Sequence, residues 1–305
     1  MVLDGKYGEN PMKSIVPILV KIWRRINPVA QLRADVEALK RECKLAVPVS
    51  SDVILTRFED FILSLPAKDH GMVASYVFGD NIELGFRLLF QQMLREGMAV
   101  IDVGAHIGIY TLLASSRVGP NGRVFSFEPT PATYELLREN VGRTAYRHWV
   151  TLHQNAVSDK AGRLSFAISK DSSRNNSLFF DDKAERQEIV EVETVVLDQT
   201  IPEGQQIDLV KIDAEGAEPA VIRGMVRILE RNPDIVLFME YAPEHIQRAG
   251  ESAEALLRQL AGMGFRFYVI RDFEGACDEI GMEDLLRKPS ANLLVSRHAC
   301  PGHRS

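Results

Sequence analysis

The segment Val100-Ile101-Asp102-Val103-Gly104-Ala105-His106-Ile107-Gly108 constrains the fold more than any other in the chain. An apolar run suited to a buried strand turns through glycine into a run with helical spacing, the sequence expected in a parallel sheet covered by helices. Gly104 can take a positive φ or let a ligand approach the backbone, and Gly108 permits close helix packing. A dinucleotide fingerprint would read GxGxxG and seat a pyrophosphate on the helix N-terminus. Here Asp102 stands two residues before Gly104, in the place of the first glycine, and its carboxylate would repel a pyrophosphate. The loop suits a ligand with a cationic group, such as an ammonium. Glu128 ends the next strand, where a carboxylate can bind both hydroxyls of a ribose. Together the two acids describe a nucleoside with a positively charged tail, although a glycine turn and a solvated acid account for either piece alone.

The rest of the chain from about residue 72 continues the alternation. Strands are expected at residues 98–103, 123–127, 150–153, 207–212, 234–239, 265–271 and 292–296, with helices at 107–117, 218–229 and 252–263. A further helix begins with Thr130 at the N-cap and Pro131 at its first position. Residues 163–168 and 188–196 alternate apolar and polar side chains as antiparallel strands do, and they enclose a polar loop at 170–182. No internal repeat is present.

At 305 residues, the length favours one elaborated domain or a domain with an appendage. The hydrophobic fraction of 46% and charged fraction of 26% exclude a disordered or membrane-spanning chain. A net charge of −6 gives no general attraction to nucleic acid. Cys43, Cys277 and Cys300 are odd in number and far apart, so they fit neither a disulfide framework nor a CxxC metal site, and a reducing, cytoplasmic compartment is expected. Residues 1–71 read as a helical arm ahead of a domain at 72–305. Ile15, Ile18, Leu19, Ile22, Trp23 and Ile26 form an apolar stripe with Lys13, Lys21, Arg24 and Arg25 at other positions. Residues 13–26 can therefore lie peripherally on an anionic inner membrane surface or pack on protein. Val29, Leu32, Val36, Leu39 and Cys43 are spaced 3-4-3-4, which suits a homo-oligomer contact through residues 29–43. A linker at 47–51 and a helical segment at 52–65 follow.

Three blocks resemble the S-adenosylmethionine-dependent methyltransferases of the FkbM type. Val100 to Gly108 is similar to the family's first cofactor motif, and Phe125-Ser126-Phe127-Glu128-Pro129 to its second. Leu209-Val210-Lys211-Ile212-Asp213-Ala214-Glu215-Gly216-Ala217-Glu218 resembles its fourth-strand hallmark, supported by Leu197-Asp198 and Met239-Glu240. The resemblance covers about residues 76 to 297. It implies an α/β fold, a Rossmann-like class I sheet of seven strands with the last antiparallel, here with an N-terminal helical extension. It also implies methylation of a hydroxyl on a sugar, glycan or polyketide-type small molecule.

By that resemblance Gly104 and Gly108 approach the methionine part of S-adenosylmethionine, Asp102 meets its ammonium directly or through water, and Glu128 holds its ribose. Asn155 falls where the family contacts the adenine edge, although an Asx turn explains it equally. Glu83 is a further cofactor candidate or a solvated acid. His106 replaces the family's usual asparagine, so the glycine loop is expected to bind somewhat differently.

A sugar hydroxyl is a weak nucleophile, so a carboxylate or histidine base, or a metal, is expected. Asp213 is the first candidate for base or acceptor positioning, with Glu215 on the same loop and His245 as an alternative. Glu218 suits the first turn of the following helix, and Lys211 can pair with an acid in the same pocket. Asp213 and Glu240 can together hold Mg²⁺. Acceptor choice is expected in residues 170–182, in the segment after Glu240 and in 275–288. A nicotinamide oxidoreductase would share the sheet, and a membrane-associated scaffold could retain the fold without turnover.

Overall fold

The computed structural model describes residues 46–78, 83–169 and 187–300. The expected amphipathic helix at 13–26, the heptad segment at 29–43 and the loop at 170–182 lie outside these residues. Among the described residues no helix is long and apolar enough to cross a membrane.

A compact unit begins at Ala46. Its first three strands, β1 (Ala46–Pro48), β2 (Val53–Phe58) and β3 (Phe61–Pro66), pair antiparallel in that order. This overturns the helix expected at residues 52–65 and joins residues assigned to the arm to the domain. Phe58 pairs with Phe61 across a tight turn in which Glu59 has φ 50°. Helices α1 (His70–Phe78) and α2 (Leu84–Met93) lead to the central sheet.

That sheet begins with β4 (Ala99–Val103), α3 (Ile109–Val118), β5 (Arg123–Phe127), α4 (Pro131–Gly142) and β6 (Val150–His153). A side sheet follows, β7 (Ala156–Val157), β8 (Gly162–Ser169) and β9 (Gln187–Val195), in which β8 and β9 are antiparallel as their alternation predicts. After the short α5 (Leu197–Thr200), the chain returns through β10 (Leu209–Ile212), α6 (Glu218–Arg223), α7 (Val226–Arg231) and β11 (Val236–Tyr241). It closes with α8 (Pro243–Arg248), α9 (Ala253–Gly262), β12 (Arg266–Ile270), β13 (Cys277–Ile280), α10 (Met282–Leu285) and β14 (Ala291–Ser296).

The order across the central sheet is β13-β12-β14-β11-β10-β4-β5-β6. Strands β6, β5, β4, β10 and β11 are mutually parallel, and β14 runs antiparallel between β11 and β12. The implied Rossmann-like arrangement is present with eight strands rather than seven. The extra strand is β13, from the region expected to choose the acceptor; only four residues long and half exposed, it lacks a continuous apolar signal. The helix expected at 218–229 is broken at Gly224, where a Cβ would stand 2.3 Å from the Ser158 carbonyl oxygen. The chain bends there to let β7 and the helix pair meet. Cys277 and Cys300, read as unpaired thiols, are joined in a disulfide. β12 brings them together, because it pairs with β13 on one side and with β14 on the other.

Strand alternation divides the core into two layers. Val100, Val124, Leu209 and Phe238 face α2, α3 and the N-terminal hairpin. Ile101, Phe125, Val210 and Leu237 face α6, α7 and α9. On the face of the first set, register places Ser126, Asp102 and Lys211 in one row with Phe238, above the row of Val124, Val100 and Leu209. A carboxylate and an ammonium, with the hydroxyls of Ser126 and Thr111, thus enter a largely apolar layer. Where β4, β5, β10 and β11 end, the chain turns into its functional loops.

Candidate active site

The glycine loop is stitched to the neighbouring strand ends by its own backbone. The N–H groups of Gly104 and Ala105 both donate to the Phe127 carbonyl, at 3.0 and 2.9 Å. Gly104 has φ 71°, and a Cβ there would meet the Asp213 carbonyl oxygen at 1.9 Å, so only glycine lets the ends of β4 and β10 touch. Gly108 has φ 96° and a Cβ on it would stand 2.6 Å from Leu137 Cδ1. It therefore serves helix packing, as its position suggested, and does not line the cavity.

Glu128 follows β5 and is 5% exposed. Its Oε2 accepts from the His106 N–H at 3.0 Å and its Oε1 from the Thr130 N–H at 2.9 Å. Burial pushes its carboxyl up to about 7 against the pull of those amides. Because His106 adopts φ 52°, its amide points at this carboxylate, so Glu128 orders the glycine loop as well as facing the cavity.

Asp102 is placed differently from the sequence expectation. It is 0% exposed and is absent from the cavity wall. Its Oδ2 accepts from Thr111 Oγ1 at 2.7 Å, and its Oδ1 lies 3.7 Å from Lys211 Nζ. Register fixes this outcome, because Asp102 lies opposite Lys211 and Ser126 on the face covered by α3. In this structure Asp102 therefore does not reach the cavity, and its carboxylate faces Lys211.

Lys211 is 3% exposed. Its Nζ donates to the Gly104 carbonyl at 2.8 Å and to Asp213 Oδ2 at 3.2 Å, and stands 5.4 Å from the Tyr110 ring centroid. Burial opposes its charge, yet Asp213, Asp102 and Glu83 outweigh that cost and hold the ammonium above its ordinary range. The pairing foreseen for Lys211 is present. The role of Tyr110 was missed: its hydroxyl donates to Glu83 Oε2 at 2.6 Å, linking the first turn after the glycine loop to the residue before α2. A tyrosine two residues beyond the loop's last glycine was the available signal.

Glu83, Gly104, His106, Glu128, Asn155, Asp213, Glu215, Glu240 and His245 line one cavity of about 560 Å³. Of the expected site residues, only Asp102 and Gly108 stand behind its wall. At the β10 end, Asp213 keeps 37% of its side chain exposed while Lys211 holds one oxygen. Glu215 has φ 51°, and Gly216 after it has φ 102° with the His245 carbonyl oxygen 2.5 Å from where a Cβ would be. That contact brings His245 Nδ1 to 3.3 Å from Glu215 Oε2. Glu240, at the end of β11, completes the wall; one ligand atom each from Glu215, Glu240 and His245 falls within 4.8 Å of the others. Glu240 of the expected metal pair belongs to this group of three, and Asp213 lines the same cavity.

The electrostatics of this end are one-sided. Burial, with Asp213 and Glu240 as neighbours, pushes Glu215 up to about 9. Burial and Asp213 push Glu240 up to about 7, while burial lowers His245. Glu218 stands in the first turn of α6 as expected, and at 2% exposure it also ties the loop before that helix. Its Oε1 accepts from the N–H groups of Ala214 and Gly216 at 3.0 and 3.2 Å.

Residues 102–267 match the family model described as the Methyltransferase FkbM domain. The 31-O-demethyl-FK506 methyltransferase FkbM of Streptomyces tacrolimicus is 33% identical over 57% of this chain and 77% of its own length. The hexuronic acid methyltransferase AglP of Haloferax volcanii is 28% identical over 47% of this chain and 56% of its own. Methyltransferase sdnD of Sordaria araneosa is 27% identical over 41% and 60%, so the chain spans little more than half of these last two relatives. Among solved structures, the O-methyltransferase TomG of Streptomyces achromogenes aligns with a TM-score of 0.41 at 13% identity, over 71% of this chain and 79% of that one. The family match runs through the glycine loop, Glu128, Asn155, the Asp213 loop, Glu240 and His245, more than half of the sequence, and the chain belongs to the FkbM methyltransferase family.

Proposed function

We propose that this protein is an S-adenosylmethionine-dependent O-methyltransferase acting on a hydroxyl of a sugar, glycan or polyketide-type molecule. The observation that carries the reading is one cavity with a glycine loop and a strand-end carboxylate at one end and a group of acids and a histidine at the other. Its volume of about 560 Å³ is that of a small-molecule site. The names of AglP, a hexuronic acid methyltransferase, and FkbM, a 31-O-demethyl-FK506 methyltransferase, support a hydroxylated acceptor.

The donor set fits the cofactor. Glu128, buried after β5, and Asn155 both line the cavity; the first would accept from vicinal ribose hydroxyls and the second would meet the adenine edge. Glu83 supplies an acid at the cavity wall for the ammonium, taking the role expected of Asp102. When bound, S-adenosylmethionine supplies a methyl group already activated as a sulfonium. The protein's remaining task is to orient the acceptor and remove its proton. Asp213 is the carboxylate best placed for that, because Lys211 fixes one oxygen and the side chain remains open to the cavity. Glu215 and His245 hold the acceptor from the same side.

Calorimetric titration with S-adenosylhomocysteine and with NAD distinguishes the methyltransferase from the oxidoreductase reading; binding of the first alone is expected. Labelled S-adenosylmethionine with a glycan and small-molecule extract should give a labelled product. Asp213→Asn should lower turnover by about 10²–10⁴-fold with S-adenosylhomocysteine affinity intact. Near-wild-type turnover in that variant removes Asp213 from the chemistry.

A further inference from the structure

We propose that Glu215, Glu240 and His245 form a divalent-cation site at the acceptor end of the cavity, selective for a first-row transition ion over Mg²⁺. The three ligand atoms come from three separate elements: the loop after β10, the end of β11 and helix α8. They lie within 4.8 Å of one another, and His245 Nδ1 stands 3.3 Å from Glu215 Oε2. Ligands about 2.0–2.2 Å from one ion stand about 3–4.4 Å apart according to their angle at the ion, so side-chain rotation on the order of an ångström brings the three onto one ion.

Chemistry and charge agree with that spacing. Two carboxylates and one imidazole leave coordination positions open, and the imidazole favours Mn²⁺, Fe²⁺, Co²⁺ or Zn²⁺ over Mg²⁺, which prefers oxygen ligands and retains its water. The wall also holds Asp213 and, behind it, Glu218, whose Oε2 is buried without a hydrogen-bond partner. The buried ammonium nearby, Lys211, is committed to Asp102, Asp213 and two backbone carbonyls. A divalent ion balances this excess of carboxylate. The open positions would face an acceptor that offers a hydroxyl beside a second oxygen, such as a vicinal diol or a hydroxy acid. That acceptor class rests on the O-methyltransferase reading, whereas the ion site itself does not.

The test uses the full chain, stripped with EDTA and dialysed, with Mn²⁺ as the probe. Electron paramagnetic resonance should show saturable binding of one Mn²⁺ per chain. Zn²⁺ should displace it, and Mg²⁺ should bind at least about tenfold more weakly. Glu240→Gln and His245→Gln should each weaken Mn²⁺ binding at least about tenfold, while Asp159→Asn, on another face, should leave it unchanged. Thermal melts guard against misfolding: Mn²⁺ should raise the wild-type Tm but not that of Glu240→Gln, whose metal-free Tm should equal or exceed the wild type's. Mn²⁺ binding of equal strength in wild type and Glu240→Gln, or none in wild type, overturns the site. S-adenosylhomocysteine binding, measured on the same samples, reports separately on the methyltransferase reading.

Discussion

Lys211 shows what one residue contributes when its partners are distant in sequence. Its ammonium joins the end of β4, through the Gly104 carbonyl, to its own strand end, through Asp213, and it neutralises Asp102 in a layer with no exposure to water. Removing one partner of such a pair leaves an uncompensated buried charge, which costs about 3–5 kcal/mol. Lys211→Met should therefore destabilise the fold by that order in urea denaturation. Asp102→Asn, added to it, should recover a coupling of about 1–3 kcal/mol, read from the double-mutant cycle. Additive losses would show that the pair does not act as a unit. Much at this scale was legible: the positive φ of Gly104, the strand-end place of Glu128 and the pairing of Lys211 all follow from local sequence. The orientation of Asp102 was not, because it depends on the register between β4, β5 and β10, and register across a parallel sheet is set by residues far apart in the chain.

Among elements, the N-terminal hairpin departs furthest from its sequence. Ile54, Phe58, Phe61 and Leu65 keep a 4-3-4 spacing that a helix would use, and residues 52–65 contain neither glycine nor proline to mark a turn. What forms instead is β2 and β3, with Glu59 bent into φ 50° at the turn and its Oε1 bonded to Arg87 on α2 at 2.6 Å. Tertiary partners decide the case. Asn140, fully buried on α4, accepts from the Ser64 N–H at 2.6 Å and donates to the carbonyls of Ser64 and Ile107, at 3.2 and 2.9 Å. One side chain thus ties β3 to the turn that opens α3, beneath the glycine loop. Asn140→Ala leaves three backbone groups without that partner and should cost about 2–4 kcal/mol. Hydrogen exchange should show the amides of β2 and β3 losing protection before those of β4 and β10. Uniform loss across all four strands would mean that the hairpin is not a separately opening unit. No periodicity reports such a tie, since it joins positions far apart in sequence.

For the whole molecule, the net charge of −6 conceals an unequal distribution of acids. Two surface carboxylates are lowered by pairing: Lys68 holds Asp52 below its ordinary value, and Arg223 does the same for Asp159. Their stabilisation is present above the unfolded carboxylate range and is lost only as pH falls below about 4. The buried acids act in the opposite direction. Glu128 and Glu218 are each raised from 4.5 to about 7, chiefly by burial, so the folded chain binds more protons than the unfolded chain between those values. Stability must then decrease as pH rises through that window, because folding holds the carboxylates in an environment that disfavours their charged form. At about 1.4 kcal/mol per unit, each of the two contributes on the order of 3 kcal/mol across the window. Two partly buried imidazoles, His153 and His245, are shifted down and oppose the trend below about 6.5, but with less burial behind them. In EDTA, to separate this effect from metal binding, the urea midpoint should be higher at pH 5.5 than at pH 8. Glu218→Gln keeps an oxygen for the Ala214 and Gly216 amides while removing the titration; because Glu128, Glu215 and Glu240 are raised into the same window, it should flatten the difference by about a fifth to a quarter and gain most at pH 8. A midpoint that rises from pH 5.5 to 8, or a variant that leaves the profile unchanged, would show that these acids are already ionised in the folded protein and that the loops around the cavity admit more water than their burial indicates.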